Sequence, residues 1–331
     1  MRVLIAGGGG YIGSAVVPDL LCAGHTVDVV DLLWFGNHLP AGVRVTTRDL
    51  FELEVDDLQA YEQVVFMAGL SNDPMADFSP RDNFVMNAAA PAYLAYVAKR
   101  AGVRRFVYAS SCSVYGSGDG HLASENSPAV SQYAYGIAKL QGELSVMQLA
   151  DRGYSVICLR QGTVSGYSRR MRLDLVVNTM FSNAVHGGVI TVNNPAIHRP
   201  ILGILDAVLA YRLAIGAPEE VSGVFNVATR NYTVGEIANC VRDRLRERAG
   251  IEVRIQAHDR PDCRNYRVST SKAEQVLGFH PSQDVAQIVD QLYEHRTEFA
   301  DAENEIYYNI RRFQALKTRA DASVPEGAKL T

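Results

Sequence analysis

The chain has 331 residues, 47% of them hydrophobic, and a net charge of −4, which leaves room for about two domains with a sizeable core and excludes a disordered or fibrous protein. So mild an acidic balance provides no global field for DNA or RNA, and no run of about eighteen apolar residues could cross a membrane. Five scattered cysteines (Cys22, Cys112, Cys158, Cys240, Cys263) with no C-x-x-C, histidines with no i,i+4 pair and an apolar start too short for a signal peptide lead us to expect no disulfides, no metal and a cytoplasmic protein.

Arg2 to Ala6 reads as a short strand that breaks into Gly7 to Gly10, and a helix is expected over Ile12 to Ala23, stopped by Gly24. Gly8-x-Gly10-x-x-Gly13, equally readable as Gly7-x-x-Gly10-x-x-Gly13, therefore lies between a strand and a helix, where that spacing signals a dinucleotide. Glycine is expected there for positive φ, and because a Cβ would keep the backbone from a pyrophosphate at the helix N-terminus. The second strand, Thr26 to Asp31, ends on an acid eighteen residues after Gly13. A carboxylate at that point accepts from both ribose hydroxyls and repels a 2′-phosphate, so NAD is expected over NADP.

A third strand over Val43 to Thr47 leads to Asp49 and Leu50 at the adenine edge, and a fourth, Gln63 to Gly69, ends in small residues where a cofactor would pass. The expected cofactor contacts are Gly7, Gly10, Tyr11, Ile12, Gly13, Asp31, Asp49, Leu50, Met67, Ala68 and Gly69. A long helix over Asn83 to Arg100, a strand over Arg105 to Ser111, a helix over Tyr135 to Ala150 and a strand over Ser155 to Arg160 follow. This alternation predicts an α/β fold with a doubly wound parallel (Rossmann) sheet covered on both faces.

Beyond Gly166 the periodicity weakens and arginines gather at Arg169, Arg170, Arg172, Arg199, Arg260 and Arg264. Helices are expected near Leu173 to Gly187 and Val234 to Gly250, while Ile204 to Ile215 and Val224 to Val227 return to the core. The expected division is 1–167 with 203–232 as the cofactor domain, 168–202 and 233–317 as a discontinuous C-terminal lobe, and 318–331 as a fraying tail. Arg242, Arg244, Arg246 and Arg248 alternate with acids and read as a solvated helix face.

Tyr135-x-x-x-Lys139 places a phenol and an ammonium one helical turn apart on one face. Of the 16 tyrosines only Tyr135 has a lysine four residues on; Tyr133 has Ile137 there. For a phenol to act as a base near neutrality its pKa must fall by about three units, or about 4 kcal/mol, and a nearby ammonium with an oxidised nicotinamide favours the phenolate by that order. Ser110-Ser111-Cys112-Ser113 closes the fifth strand on the ligand side of such a sheet, and Ser111 is the expected partner of the reacting oxygen. Cys112 has no histidine near it in sequence and is not expected to act as a nucleophile.

GGGGYIG, Asp31, SSCSVYG, Tyr135-x-x-x-Lys139 and the run Leu159 to Gly166 together resemble the extended short-chain dehydrogenase/reductase family, and within it the nucleotide-sugar epimerases and dehydratases. The resemblance implies a catalytic set of Ser111, Tyr135 and Lys139, bound NAD, and a smaller C-terminal lobe that holds a nucleoside-diphosphate sugar. It also implies a homodimer joined through the Asn83–Arg100 and Tyr135–Ala150 helices. Substrate contacts are expected from Ser71, Ser113, Thr163, Arg172, Arg199, Arg260 and Arg264, the arginines as diphosphate donors. Family dehydratases carry an acid pair after the hydroxyl residue, where this chain has Cys112 and Ser113, so the implied reaction is NAD-dependent epimerisation, at C4, through a 4-keto sugar. A net oxidoreductase acting on a sugar or other carbonyl compound is the alternative.

Overall fold

Val3, Leu4, Ile5 and Ala6 are at most 2% exposed, and their alternation feeds two separate cores. Val3 and Ile5 join Val27, Val29, Val65, Val107, Ile157 and Leu159 on one face of a sheet, whereas Leu4 and Ala6 join Val64, Phe66, Phe106, Tyr108 and Val156 on the other. Strands buried on both faces read as continuous apolar runs, and each fully buried Val, Leu or Ile contributes about 1.5–3 kcal/mol.

The computed structural model describes residues 1–116, 121–258 and 264–323. Its first half contains β1 (Arg2–Ala6), α1 (Gly13–Cys22), β2 (Thr26–Val30), β3 (Arg44–Thr46), α2 (Val55–Leu58), β4 (Gln63–Phe66), α3 (Asp73–Phe78), α4 (Pro80–Phe84), α5 (Ala90–Arg100), β5 (Arg105–Ser111), β6 (Leu122–Ala123), α6 (Ala134–Met147) and β7 (Ser155–Gln161). The second contains β8 (Thr163–Ser165), α7 (Val176–Gly187), β9 (Val189–Asn193), β10 (His198–Gly203), α8 (Ile204–Gly216), β11 (Gly223–Val227), β12 (Arg230–Thr233), α9 (Val234–Ala249), β13 (Arg254–His258), β14 (Arg267–Val268), α10 (Ser271–Leu277), α11 (Val285–Glu294) and α12 (Asn309–Ser323).

Seven parallel strands form one Rossmann sheet in the order β11-β7-β5-β4-β1-β2-β3. The order reverses between β1 and β4, and ligands of such sheets lie at that switch point, beyond the carboxyl ends of the strands. The smaller sheets β12-β10-β8 and β13-β9 stand apart from it.

Several local expectations need correction. The helix drawn from Asn83 to Arg100 starts at Pro80 and contains a π turn at Val85–Ala89. The helix placed at Leu173 begins at Val176, after a loop in which Arg172 and Asp174 pair. Helix α12 extends to Ser323, across the expected boundary at 318, and its Phe313 is buried against Leu70 and Met75. Nor are the α9 arginines simply solvated: Arg244 and Arg248 reach Asp290 and Glu294 on α11 and form an ionic seam between the helices.

Candidate active site

The turn after β1 places the chain at the switch point. Of its four consecutive glycines only Gly7 has positive φ, +83°, and a Cβ there would lie 2.4 Å from the Ala68 nitrogen. A Cβ on Gly13 would lie 2.4 Å from the Gly8 oxygen. The glycine requirement is thus mainly one of close packing, and a left-handed backbone is needed at one position only.

Two cavities adjoin this turn, and both are lined by Met67, Ala68 and Gly69. One, of about 370 Å³, is lined by Gly7, Gly10, Asp31, Asp49 and Leu50, with Trp34, Phe35 and Arg48. The other, of about 360 Å³, brings together Tyr11, Ile12, Ser71, Ser111, Ser113, Tyr135, Lys139, Thr163, Arg172, Arg199 and Arg264. Gly13 lines neither and lies packed beneath the turn, and Arg260 falls outside the described residues. Two adjoining cavities that meet at a glycine turn fit the two halves of a dinucleotide, with the cradle too tight for a Cβ.

In the first cavity the Asp31 carboxylate accepts N–H bonds from Gly9 at 2.9 Å and Leu33 at 2.7 Å. Burial nevertheless raises its pKa, and these two bonds oppose the rise. Leu33 takes a left-handed φ of +53° to direct its N–H there. Asp49 spends one carboxylate oxygen capping the short turn through the Phe51 N–H, at 3.0 Å.

In the second cavity Ser111 stands at the end of β5, with its Oγ 3.1 Å from the Ser113 N–H and 3.1 Å from the Ser113 hydroxyl. Tyr135 and Lys139 come from one face of α6, and the Lys139 Nζ lies 6.0 Å from the Tyr135 ring centre while donating to the Ala109 carbonyl at 3.0 Å. Burial pushes the Lys139 pKa down to about 7. It pushes Tyr135 the other way, well above the ordinary tyrosine value, against the Ser111 hydroxyl and the Arg172 charge. Among the groups acting on the phenol, the Ser111 hydroxyl and the Arg172 charge favour its ionised form, and Lys139 is itself starved of solvent.

The substrate-side arginines are not equivalent. Arg172 forms a two-point pair with Asp174, at 2.8 and 3.1 Å, and Arg264 pairs with Asp73 at 2.8 Å. Arg199 donates to the His198 carbonyl and lies over the Tyr266 ring. Ser71 accepts from the Asn309 amide at 2.6 Å. Cys112 is buried, its thiol pushed up by desolvation, so it is no nucleophile.

Sequence reasoning missed Asp73, Asp174 and Tyr266 around this cavity. The first two complete ion pairs whose arginines were noticed, so an unmatched arginine was the available signal. Trp34-Phe35, directly after Asp31, was a visible aromatic pair that went unused.

The NAD dependent epimerase/dehydratase family matches residues 3–228. UDP-glucose 4-epimerase from Corynebacterium glutamicum is 26% identical over 316 residues, covering 88% of this chain and 95% of that enzyme. UDP-glucuronic acid decarboxylase 1 from Danio rerio is 24% identical over 310 residues, 85% of this chain and 69% of that protein. Other relatives at 31% identity align over about half of this chain and about half of their own length. Among solved structures, MoeE5 in complex with UDP-glucuronic acid and NAD has a TM-score of 0.79 at 27% identity, covering 90% of this chain and 100% of that one. With the glycine turn, Ser111, Tyr135 and Lys139 all inside the matched stretch, the chain belongs to the NAD dependent epimerase/dehydratase family.

Proposed function

We propose that this protein is a nucleotide-sugar epimerase that works at C4 through a 4-keto sugar. The observation that carries the reading is the convergence of Ser111, Tyr135 and Lys139 in one cavity beside the glycine turn, with the buried Cys112 and Ser113 where an acid pair would serve a dehydratase. When bound, NAD supplies the hydride acceptor and donor. Gly7 to Gly13 and Asp31 would hold it, the carboxylate having lone pairs left for ribose hydroxyls beyond the two N–H bonds it already accepts. Tyr135 takes the proton from the sugar O4 and returns it, and Ser111 hydrogen-bonds the same oxygen as it becomes a carbonyl. Lys139, two hydrogen atoms of its ammonium still available beyond the Ala109 carbonyl, orients the cofactor ribose. Arg199 and Arg264, at the rim, meet the diphosphate of the substrate.

The test is to supply the purified enzyme and NAD with UDP-glucose or UDP-glucuronic acid and follow the sugar by proton NMR. Formation of the 4-epimer with no net absorbance at 340 nm is expected, and Tyr135→Phe should lower turnover roughly 10²- to 10⁴-fold. Stoichiometric NADH would assign a net oxidation instead, and loss of water or CO₂ from the sugar would assign dehydration or decarboxylation.

A homodimer is part of the same proposal. Phe84 and Tyr96 on the α4–α5 run, and Ile137 and Leu144 on α6, are between 42% and 61% exposed, an apolar stripe suited to a helix pair from a second copy. Light scattering should then return twice the 36.2 kDa of one chain. We place the reaction in the cytoplasm; the four described cysteines are unpaired, and no helix among the described residues is long and apolar enough to cross a membrane.

A further inference from the structure

Tyr135, Lys139 and Glu143 follow one another at i, i+4 and i+8 along one face of α6, and β5 meets them with three consecutive residues. The Ala109 carbonyl accepts from the Lys139 Nζ at 3.0 Å, the Ser110 hydroxyl donates to Glu143 Oε2 at 2.7 Å, and Ser111 stands in the cavity with Tyr135. Glu143 is 1% exposed, and Arg160, on β7, is 5% exposed. The two form a two-point pair, Nε to Oε2 at 2.9 Å and Nη2 to Oε1 at 2.6 Å, and Arg160 is the register partner of Ser110 across β5 and β7. Arg160 Nη1 donates to the Tyr115 hydroxyl at 2.8 Å, at the far end of the turn that begins just after Ser111.

Neither Glu143 nor Arg160 lines either cavity, so their effect on the chemistry passes through their partners. Burying an ion pair brings little stability, because desolvation offsets the attraction and apolar residues of similar volume often serve as well. Apolar residues could not supply the directed bonds at Ser110 and Tyr115, which tie the chain on both sides of Ser111 to the helix that carries Tyr135. We propose that the Glu143–Arg160 pair, together with Ser110, is a positioning device that holds the Ser111 hydroxyl in register with the Tyr135 phenol. The proposal rests on the reading of Ser111 and Tyr135 as the groups that share the reacting oxygen. A misplacement of about 1 Å between such groups can cost roughly 100-fold in rate, even when its cause lies away from the chemistry.

The experiment compares wild type with the double variant Glu143→Met and Arg160→Met, which removes both charges together, with Ser110→Ala, which cuts the serine link and leaves the ion pair, and with Ser110→Thr, which keeps the hydroxyl. Turnover of the nucleotide sugar gives kcat and KM. The carbon-13 resonance of the Tyr135 Cζ, assigned with Tyr135→Phe in tyrosine-labelled protein, reports the hydrogen bonding of the phenol without substrate. The double variant should fold, lose roughly 10- to 100-fold in kcat with KM held within about twofold, and show a displaced Tyr135 resonance. Ser110→Ala should move both readouts the same way by less, and Ser110→Thr should restore them. A folded double variant with kcat within about twofold of wild type, or one that loses melting temperature and kcat while the Tyr135 resonance stays in place, would overturn the proposal, since the pair would then be structural only. If the double variant does not fold, Ser110→Ala decides it, and a wild-type kcat in that variant refutes it. Wild type that turns over no nucleotide sugar is a different result and removes the C4 reading; the substrate-free resonance in Ser110→Ala then tests the register on its own, and refutes it if unmoved.

Discussion

In the proposed chemistry Lys139 serves the reaction at a cost in stability. Its ammonium is held in the interior by a single carbonyl, that of Ala109, and its pKa falls to about 7 from an ordinary 10.5. Between those values the unfolded chain holds a proton that the folded chain has released, so folding stability rises with pH across that window. Below pH 7 both states are protonated and the full cost is present; above 10.5 it vanishes. Lys139→Met removes this contribution. The unfolding free energy of cofactor-free wild type minus that of the variant should therefore increase from pH 7 to pH 10, by up to about 1.4 kcal/mol per pH unit. Urea denaturation at pH 7, 8, 9 and 10 measures it, and a flat difference would mean that the amine stays charged in the fold. Tyr135 has the opposite problem, because burial favours the neutral phenol. In the proposed chemistry the positive charge of a bound oxidised nicotinamide would favour the phenolate.

At the scale of elements, the least obvious support is at the end of α8. Arg105, which reads in the sequence as the first residue of a strand, is 2% exposed and donates to the carbonyls of Ala214, Ile215, Ala217 and Pro218. Ala214 and Ile215 belong to the last turn of α8, where carbonyls lack intrahelical partners, and Ala217 and Pro218 follow it directly, so the cation also meets the negative end of the helix dipole. Arg105→Met should cost about 2–4 kcal/mol in urea unfolding, with turnover per folded molecule preserved; a loss below about 0.5 kcal/mol would show that water replaces the guanidinium. Arg105 also marks where sequence reading stopped. The strand it opens was legible, because period-2 and period-3.6 apolar patterns are local, and so were the glycine turn and the i,i+4 spacing of Tyr135 and Lys139. Its partners, more than a hundred residues away, have no local signature. The same holds for Arg264 with Asp73 and for Arg170 with Asn309. The π turn at Val85–Ala89 escaped for a different reason. It accommodates a contact in three dimensions: the Asn87 carbonyl accepts from the Tyr108 phenol at 3.0 Å, and Gly69, at φ +137°, faces the Asn87 amide where a Cβ would come within 2.1 Å.

Across the whole molecule the two ends of the chain converge on the cofactor side of the sheet. From α12, Phe313 is buried with Leu70 and Met75, its ring tilted against Trp34 at 5.5 Å and edge-on to Phe78 at 5.9 Å, while Arg312 donates to the Trp34 carbonyl. Lys317 pairs with Asp82 and lines the cavity that holds Asp31. Asn309 bonds Ser71 and Asp174, which line the cavity that holds Tyr135, and the buried Arg170. A helix so placed acts as a strap, and burial of Phe313 alone contributes about 1.5–3 kcal/mol to holding it down. Under the proposed reaction the hydride returns to the same substrate, so the cofactor is best kept between turnovers, and a strap packed here would slow its release. Ending the chain at Tyr308 should therefore leave the seven-stranded sheet folded but speed NAD release, whereas Phe313→Ala, which loosens the strap while keeping Asn309, should have a smaller effect in the same direction. Chasing bound labelled NAD with excess unlabelled cofactor measures both rates. Equal release from the truncated and full-length chains would mean that the strap packs on the site without governing exchange, and retention would then have to come from the glycine turn and the cavity walls.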